Sequence, residues 1–247
     1  MIRSLCCCFF SDDSSSNERQ PLLNSRPSEV NGAESARQAR AAHKDAQTVK
    51  RIGRLVMRRV GVQELDRRFS DMAETFNEQQ ECYEAMVQHI RNLQQTWGCT
   101  RDDSLALAEC VDKMRKEQEG SFIVYLKMKG YDFSLSVDPV RSSEGKAPPP
   151  ALRLAQNELK GASESAKATI SKSTTLLELI GWLLRCQDQM AEQLNEAAPT
   201  YQERGRLKEN LEENMREVRR AKELSQGYRQ QAGDILTEAA QIAGAHI

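Results

Sequence analysis

The most regular pattern in the chain is an apolar repeat that runs from residue 62 to residue 97. Apolar side chains recur at alternating spacings of three and four, as at the a and d positions of a heptad repeat. At a rise of 1.5 Å per residue, a helix over this stretch carries a seam about 50 Å long. A seam of that length needs a partner helix, within the chain or outside it. The seam positions are Val62, Leu65, Phe69, Met72, Phe76, Gln79, Tyr83, Met86, Ile90 and Leu93, and the pattern ends at Trp97.

The segment before the seam, 34–61, is predicted to be a basic amphipathic helix. Val49, Ile52, Val56 and Val60 follow one another at spacings of three and four, which places them on one helical face. Residues 37–59 hold eight Arg or Lys and one Asp. The pattern is compatible with an ordinary solvated helix or with a strip that lies on anionic lipid.

The segments after the seam are also mainly helical in pattern. Residues 62–130 are expected to form the heptad helix and a second helix, 131–150 a linker loop, and 151–247 two long helices separated at Pro199. Thr200 and Glu203 have the spacing of a capping box for the last helix. Residues 121–137 are compatible with two structures. They could continue a helix, or their alternating apolar residues could pair as a β-hairpin about Lys129-Gly130. The predicted fold class is all-α, a coiled-coil-like bundle of long amphipathic helices with a disordered, acylated N-terminal tail.

The tail, 1–33, contains three adjacent cysteines, Cys6, Cys7 and Cys8. Adjacent thiols rarely reach disulfide geometry with one another, and metal sites usually need spaced ligands. Apolar neighbours and a basic residue favour S-acylation instead, where two or three acyl chains suffice for stable anchoring. A metal-binding cluster and chance remain the alternatives.

A second short motif lies in the same tail. Glu18, followed four residues later by Leu22-Leu23, has the form of an acidic dileucine signal, which endolysosomal sorting adaptors read. Such a short pattern also recurs by accident. If the motif functions, it directs the acylated protein to endolysosomal membranes.

Composition narrows the classes of function. With 35 Lys and Arg against 36 Asp and Glu, the net charge of −1 argues against nucleic-acid binding. The four further cysteines show no disulfide pattern, which is typical of a reduced cytosolic-facing protein. No apolar run is long enough for a transmembrane helix. Phosphate-loop, dinucleotide, nucleophile-elbow and zinc-protease motifs are absent, so we expect no enzyme activity, no cofactor and no metal site.

Residues 6–65 resemble the LAMTOR family, the lipid-anchored subunit of the Ragulator scaffold. The resemblance lies in the clustered cysteines, the dileucine, and the ordered matches 31–34, 46–47 and 51–52. It implies a lysosomal membrane scaffold that supports Rag GTPase and TORC1 signalling. The family's myristoylated glycine is replaced by Ile2, so anchoring here would depend on the three cysteines alone.

Residues 62–90 also resemble the syntaxin-type SNARE motif. The spacing from Phe69 to Gln79 is that from the family's Phe to its central ionic-layer glutamine. The glycine that usually follows is Gln80, and no C-terminal membrane anchor follows the motif. The resemblance implies a helix that joins a four-helix bundle with other SNAREs.

Together these patterns predict a membrane-anchored helical scaffold or adaptor on the cytoplasmic face of late endosomes or lysosomes, with the plasma membrane as a second location. Its expected partners are the membrane, through acyl chains and anionic lipid, and proteins bound by helix packing, either Ragulator and Rag-type subunits or SNAREs. The alternative is a SNARE-like regulator of endolysosomal fusion or tethering in vesicle trafficking.

Overall fold

The computed structural model describes residues 53–99, 104–140 and 147–245. Three long helices and a β-hairpin make up most of this part of the chain, which belongs to one unit, Val49–Ile247. The elements in chain order are α1 (Gln63–Trp97), α2 (Ala108–Glu117), β1 (Phe122–Lys129), β2 (Asp132–Pro139), α3 (Pro150–Arg185), α4 (Gln187–Ala197) and α5 (Tyr201–Ala243).

Helices α1, α3 and α5 pack side by side as a three-helix bundle. The ion pairs Glu78–Lys172 and His89–Glu158 show that α3 runs antiparallel to α1. Contacts of α1 with α5 advance in the same direction along both helices, so these two helices are parallel. The apolar stripes of all three helices meet in one continuous core.

Local signals in the sequence set the ends of these helices. Gly98 ends α1 in the left-handed region with φ of 60°, and its N–H reaches the carbonyls of Gln94 and Gln95. Pro150 occupies the first turn of α3, where its missing N–H costs nothing. The predicted cap at the start of α5 is confirmed, since Thr200 Oγ1 accepts a hydrogen bond from the Glu203 N–H at 3.2 Å. Residues 151–247 form three helices and not the two that were expected, because the first ends at Arg185 and α4 follows it.

The β-hairpin corrects two predictions, the strictly all-α class and the linker loop at 131–150. Strands β1 and β2 pair antiparallel about a turn at Gly130, whose φ is 60°. The hairpin alternative for 121–137 is therefore the correct one. Its inner side chains pack on the bundle, while α3 satisfies the outer edge of β2: the Phe133 N–H donates to Ser163 Oγ at 3.0 Å, and Gln156 Nε2 donates to Leu135 O at 3.2 Å. A helix would have left these alternating apolar residues half exposed.

Residues 53–62 form neither helix nor strand, so the basic helix predicted for 34–61 is wrong over 53–61. Residues 34–52 lie outside the described residues. The segment lies between α1 and α5, and side chains of both helices bind its backbone. Gly61 turns the chain into α1 with φ of 78°, where a Cβ would lie 3.0 Å from Leu207 Cδ1. The helical spacing of Val56 and Val60 was coincidental.

Candidate functional site

The residues predicted to anchor and address the protein lie outside the described part of the chain. They are Cys6, Cys7, Cys8, Glu18, Leu22 and Leu23. Their roles stay predictions.

The seam packs within the chain. Its nine members from Leu65 to Leu93 are buried, and Val62 is partly buried. They face α3 and α5, so of the two alternatives, a partner helix within the chain or one outside it, the folded bundle has the first. A partner that binds the folded protein therefore contacts other surfaces.

Gln79 forms the polar centre of this seam. Its side chain is fully buried, and Nε2 donates to the carbonyl oxygens of Thr169 on α3 at 3.4 Å and Ser225 on α5 at 3.2 Å. Ser173 and Ser225 complete the layer, with their hydroxyl oxygens 3.2 Å apart. Gln79 Oε1 has no hydrogen-bond partner among the described residues. One glutamine thus bonds both neighbouring helices and fixes their register with α1.

Two tyrosines stack one turn away from this polar layer. The rings of Tyr83 and Tyr228 are 4.3 Å apart, and Tyr83 OH donates to Gln231 Oε1 at 2.5 Å. Burial raises the pKa of Tyr228 to about 12, and the neighbouring Tyr83 adds to that shift. Burial also raises the pKa of Tyr83. Both phenols therefore remain protonated at neutral pH, and the pair contributes packing to the core.

Segment 53–62 is bound by a set of side chains that we call the clamp: Asp66, Asn77, Asn210 and Asn214. Asn77 pairs with both backbone groups of Leu55, at 2.7 and 2.9 Å. Asn214 pairs in the same way with Arg58, at 2.8 and 2.7 Å. Asn210 donates to Arg59 O at 2.8 Å, and Asp66 accepts from the Val60 N–H at 2.6 Å. The asparagine amides act like the neighbouring strands of a sheet.

The clamp fixes which side chains of the segment face outward. Leu55 and Val60 are buried and Met57 is partly buried, whereas the other residues from 54 to 59 form an exposed surface that we call the arginine strip: Arg54, Val56, Arg58 and Arg59. Val56 is 77% exposed, a high value for an apolar side chain. Sequence reasoning missed this strip because it assumed a helix. The available signal was Asn77 and Asn214, polar residues at core positions of otherwise apolar helical stripes.

Several other site types receive no support from the described geometry. Within 53–99, 104–140 and 147–245, no group of three or more His, Cys, Asp or Glu side chains is placed to hold a metal ion. None of the helices in those ranges has the length and apolar character needed to cross a bilayer. His89 lies on α1, and its Nδ1 is 2.7 Å from Glu158 Oε2 on α3. This contact joins the two helices.

No protein-family model, curated protein or solved structure matches this chain. The clamp, the arginine strip and the sequence of the tail are the features of this chain that bear on its function.

Proposed function

We propose that this chain is a membrane-anchored helical adaptor, held by an acylated N-terminal tail on the cytoplasmic face of late endosomes or lysosomes. The observation that carries the proposal is the intrachain burial of the seam. A bundle that satisfies its own apolar faces is a stable body that can be tethered and can present its outer surfaces to partners. It does not need a partner helix in order to fold.

The tail supplies the anchor and the address in this proposal. Cys6, Cys7 and Cys8 offer up to three acylation sites, and two acyl chains are enough for stable residence on a membrane. The dileucine and the LAMTOR-like motifs favour an endolysosomal location and a Ragulator-like scaffold role in Rag GTPase and TORC1 signalling. The function is that of a lipoprotein scaffold and not of an enzyme.

The experiment that tests the anchor compares two cysteine variants of the full chain. Replacing Cys6, Cys7 and Cys8 by Ser should abolish palmitate incorporation and move the protein from membranes to cytosol. The matched control replaces Cys82 and Cys186, two half-buried thiols of the bundle, and should fractionate like wild type. Membrane residence of the triple variant, together with no palmitate on the wild-type protein, contradicts the anchor.

A separate experiment tests the address and the partners. Leu22→Ala with Leu23→Ala should keep membrane binding but shift the protein to the plasma membrane. Affinity purification of wild type from solubilised lysosomes should retrieve roadblock-fold Ragulator subunits. An unchanged lysosomal pattern for the dileucine variant, or purification without those subunits, contradicts the corresponding part of the proposal.

One observation favours a second candidate, a SNARE-like regulator of membrane fusion or tethering. Gln79 lies at the centre of a helical bundle, and its Oε1 has no hydrogen-bond partner in the described part of the chain, as expected of a residue that exchanges partners. This candidate requires α3 or α5 to leave the seam so that foreign helices can enter. Its test is a detergent-resistant complex with endolysosomal SNARE motifs. If no such complex forms with any set of endolysosomal SNARE motifs, the SNARE-like candidate is ruled out and the adaptor function remains.

A further inference from the structure

The arginine strip carries positive charge that the described structure does not neutralise. Arg54, Arg58 and Arg59 are exposed and form no ion pair within the described residues. The adjacent arginines differ, because Arg67 pairs with Glu64 and Arg206 pairs with Glu203, each at 3.1 Å. These two neighbouring arginines on the helices therefore have acidic partners, whereas the arginines of the strip form no ion pair with the described residues.

The backbone geometry explains why this charge faces outward. Burial alternates over residues 54–58, because Leu55 is buried and Met57 is partly buried while the three residues around them are exposed. Arg54, Val56 and Arg58 therefore share one face, opposite the buried Leu55. The bonds from Asn77 and Asn214 hold the backbone by both edges, so this face cannot turn inward without breaking them.

The composition of that face indicates its ligand. An exposed valine between two arginines combines an apolar side chain with flanking positive charges, which suits the boundary between lipid headgroups and acyl chains. An acidic protein surface would use the charges but gain less from Val56. Five further Arg or Lys at 37–51 lead into the strip along the chain, so the charge adjoins the proposed membrane tail.

We propose that the arginine strip is a docking surface for anionic lipid, which places the groove between α1 and α5 against the membrane. This proposal deepens the adaptor function and rests on its membrane location, but it concerns the bundle and not the acylated cysteines. The clamp makes the docking surface rigid, so binding does not have to order the segment. Acyl chains would hold the protein at the bilayer, and the strip would set its orientation there.

The first experiment uses the full chain without acylation and sedimentation with vesicles. Wild type should bind mixed phosphatidylcholine–phosphatidylserine vesicles more strongly than pure phosphatidylcholine vesicles. Each basic residue near an anionic surface strengthens binding about five-fold, so Arg54→Gln with Arg58→Gln and Arg59→Gln should weaken it about 100-fold. The matched control removes three exposed charges from α3, as Arg153→Gln, Lys160→Gln and Arg185→Gln, and should bind within a few-fold of wild type.

Equal losses in the strip variant and the α3 control would overturn the proposal, because they would indicate a general effect of net charge. Binding of wild type to polyglutamate with no preference for anionic vesicles would also overturn it and would favour an acidic protein partner. The α-helical circular dichroism signal and the melting temperature of both variants should match wild type, since the exposed side chains make none of the clamp's hydrogen bonds.

A second experiment tests the outward orientation directly. In Val56→Trp, the emission of the new indole, taken as the difference from wild type, should shift to shorter wavelength on anionic vesicles and stay unchanged on neutral ones. An unshifted spectrum on vesicles that bind the protein would overturn the proposed docking face. Because the protein is not acylated, failure here leaves the cysteine anchor standing, and failure of the cysteine test leaves the strip standing.

Discussion

Gln79, at the centre of the bundle, lowers the stability of the fold but makes the alignment of its helices specific. Gln79 donates two hydrogen bonds to helix carbonyls, yet its buried Oε1 has no partner among the residues that the structure describes. An unsatisfied buried oxygen costs about 1 to 3 kcal/mol, more than an ordinary hydrogen bond contributes. The glutamine is therefore best explained as a residue that fixes the register of three helices.

The first prediction follows from this balance. Gln79→Leu keeps a similar volume and removes the unpartnered oxygen, and the carbonyls of Thr169 and Ser225 keep their intrahelical bonds. We expect the free energy of unfolding to rise by about 1 kcal/mol, which shifts the melting temperature by about 2 to 4 °C. Gln79→Ala is the control, and it should be destabilising because it leaves a cavity. A lower melting temperature for the leucine variant would show that the hydrogen bonds outweigh the buried oxygen.

A second prediction concerns the close contact of α1 with α3 at Gly161. A Cβ at this position would lie 2.5 Å from Cε1 and Nε2 of His89, the ring that contacts Glu158. Gly161→Ala should therefore lower the free energy of unfolding by about 1 to 3 kcal/mol, despite the better helix propensity of alanine. Thermal unfolding measures the change.

Two controls make the test of Gly161 specific. Gly227→Ala and Gly233→Ala on α5 meet no atom within 4 Å, so each should be neutral or stabilising by up to about 1 kcal/mol. Combining Gly161→Ala with His89→Ala should cost less than the sum of the single changes. Additive losses would show that the ring is not the obstacle.

At the scale of elements, the periodicity of the sequence predicted structure that depends on one segment alone. It did not predict structure that depends on contacts with distant segments. The heptad spacing gave α1 within one residue at its start, and Thr200 and Gly98 marked helix ends, because these signals are local. The non-helical path of 53–62 depends on Asn77 and Asn214, which lie 22 and 156 positions away from the backbone they bind. The hairpin was undecided for the same reason, since the bundle supplies the burial that favours it.

The third prediction tests the clamp as an element. Asn77→Ala with Asn214→Ala removes four hydrogen bonds from the backbone of 55 and 58 and leaves the helices intact. Trypsin should then cut after Arg54, Arg58 or Arg59 at least ten-fold faster, because proteases act on segments that open locally. Limited proteolysis with mass spectrometry identifies the cuts. The control replaces the exposed Asn157 and Asn195, and equal cleavage of both variants would contradict the role of the clamp.

At the scale of the whole molecule, the apolar seam and the exposed charged surface have different roles, folding and contact with partners. The seam, which the sequence offered to either a partner or the chain itself, is used for folding. Two candidates for contact precede α1 in the sequence, the tail and the arginine strip. Spacing alone could not distinguish these arrangements, because an apolar seam has the same pattern whichever helix covers it.

The fourth prediction follows from the intrachain seam. Phe69 and Phe76 are 0% and 1% exposed, so Phe69→Ala and Phe76→Ala should each lower the free energy of unfolding by about 3 to 5 kcal/mol. The melting temperature of the wild-type full chain should not depend on protein concentration, because unfolding involves one molecule. Val56→Ala is the exposed control and should change the free energy by less than about 0.5 kcal/mol. If the phenylalanine variants instead kept their stability and lost binding to a partner, or if the melting temperature rose with concentration, the seam would belong to an intermolecular interface.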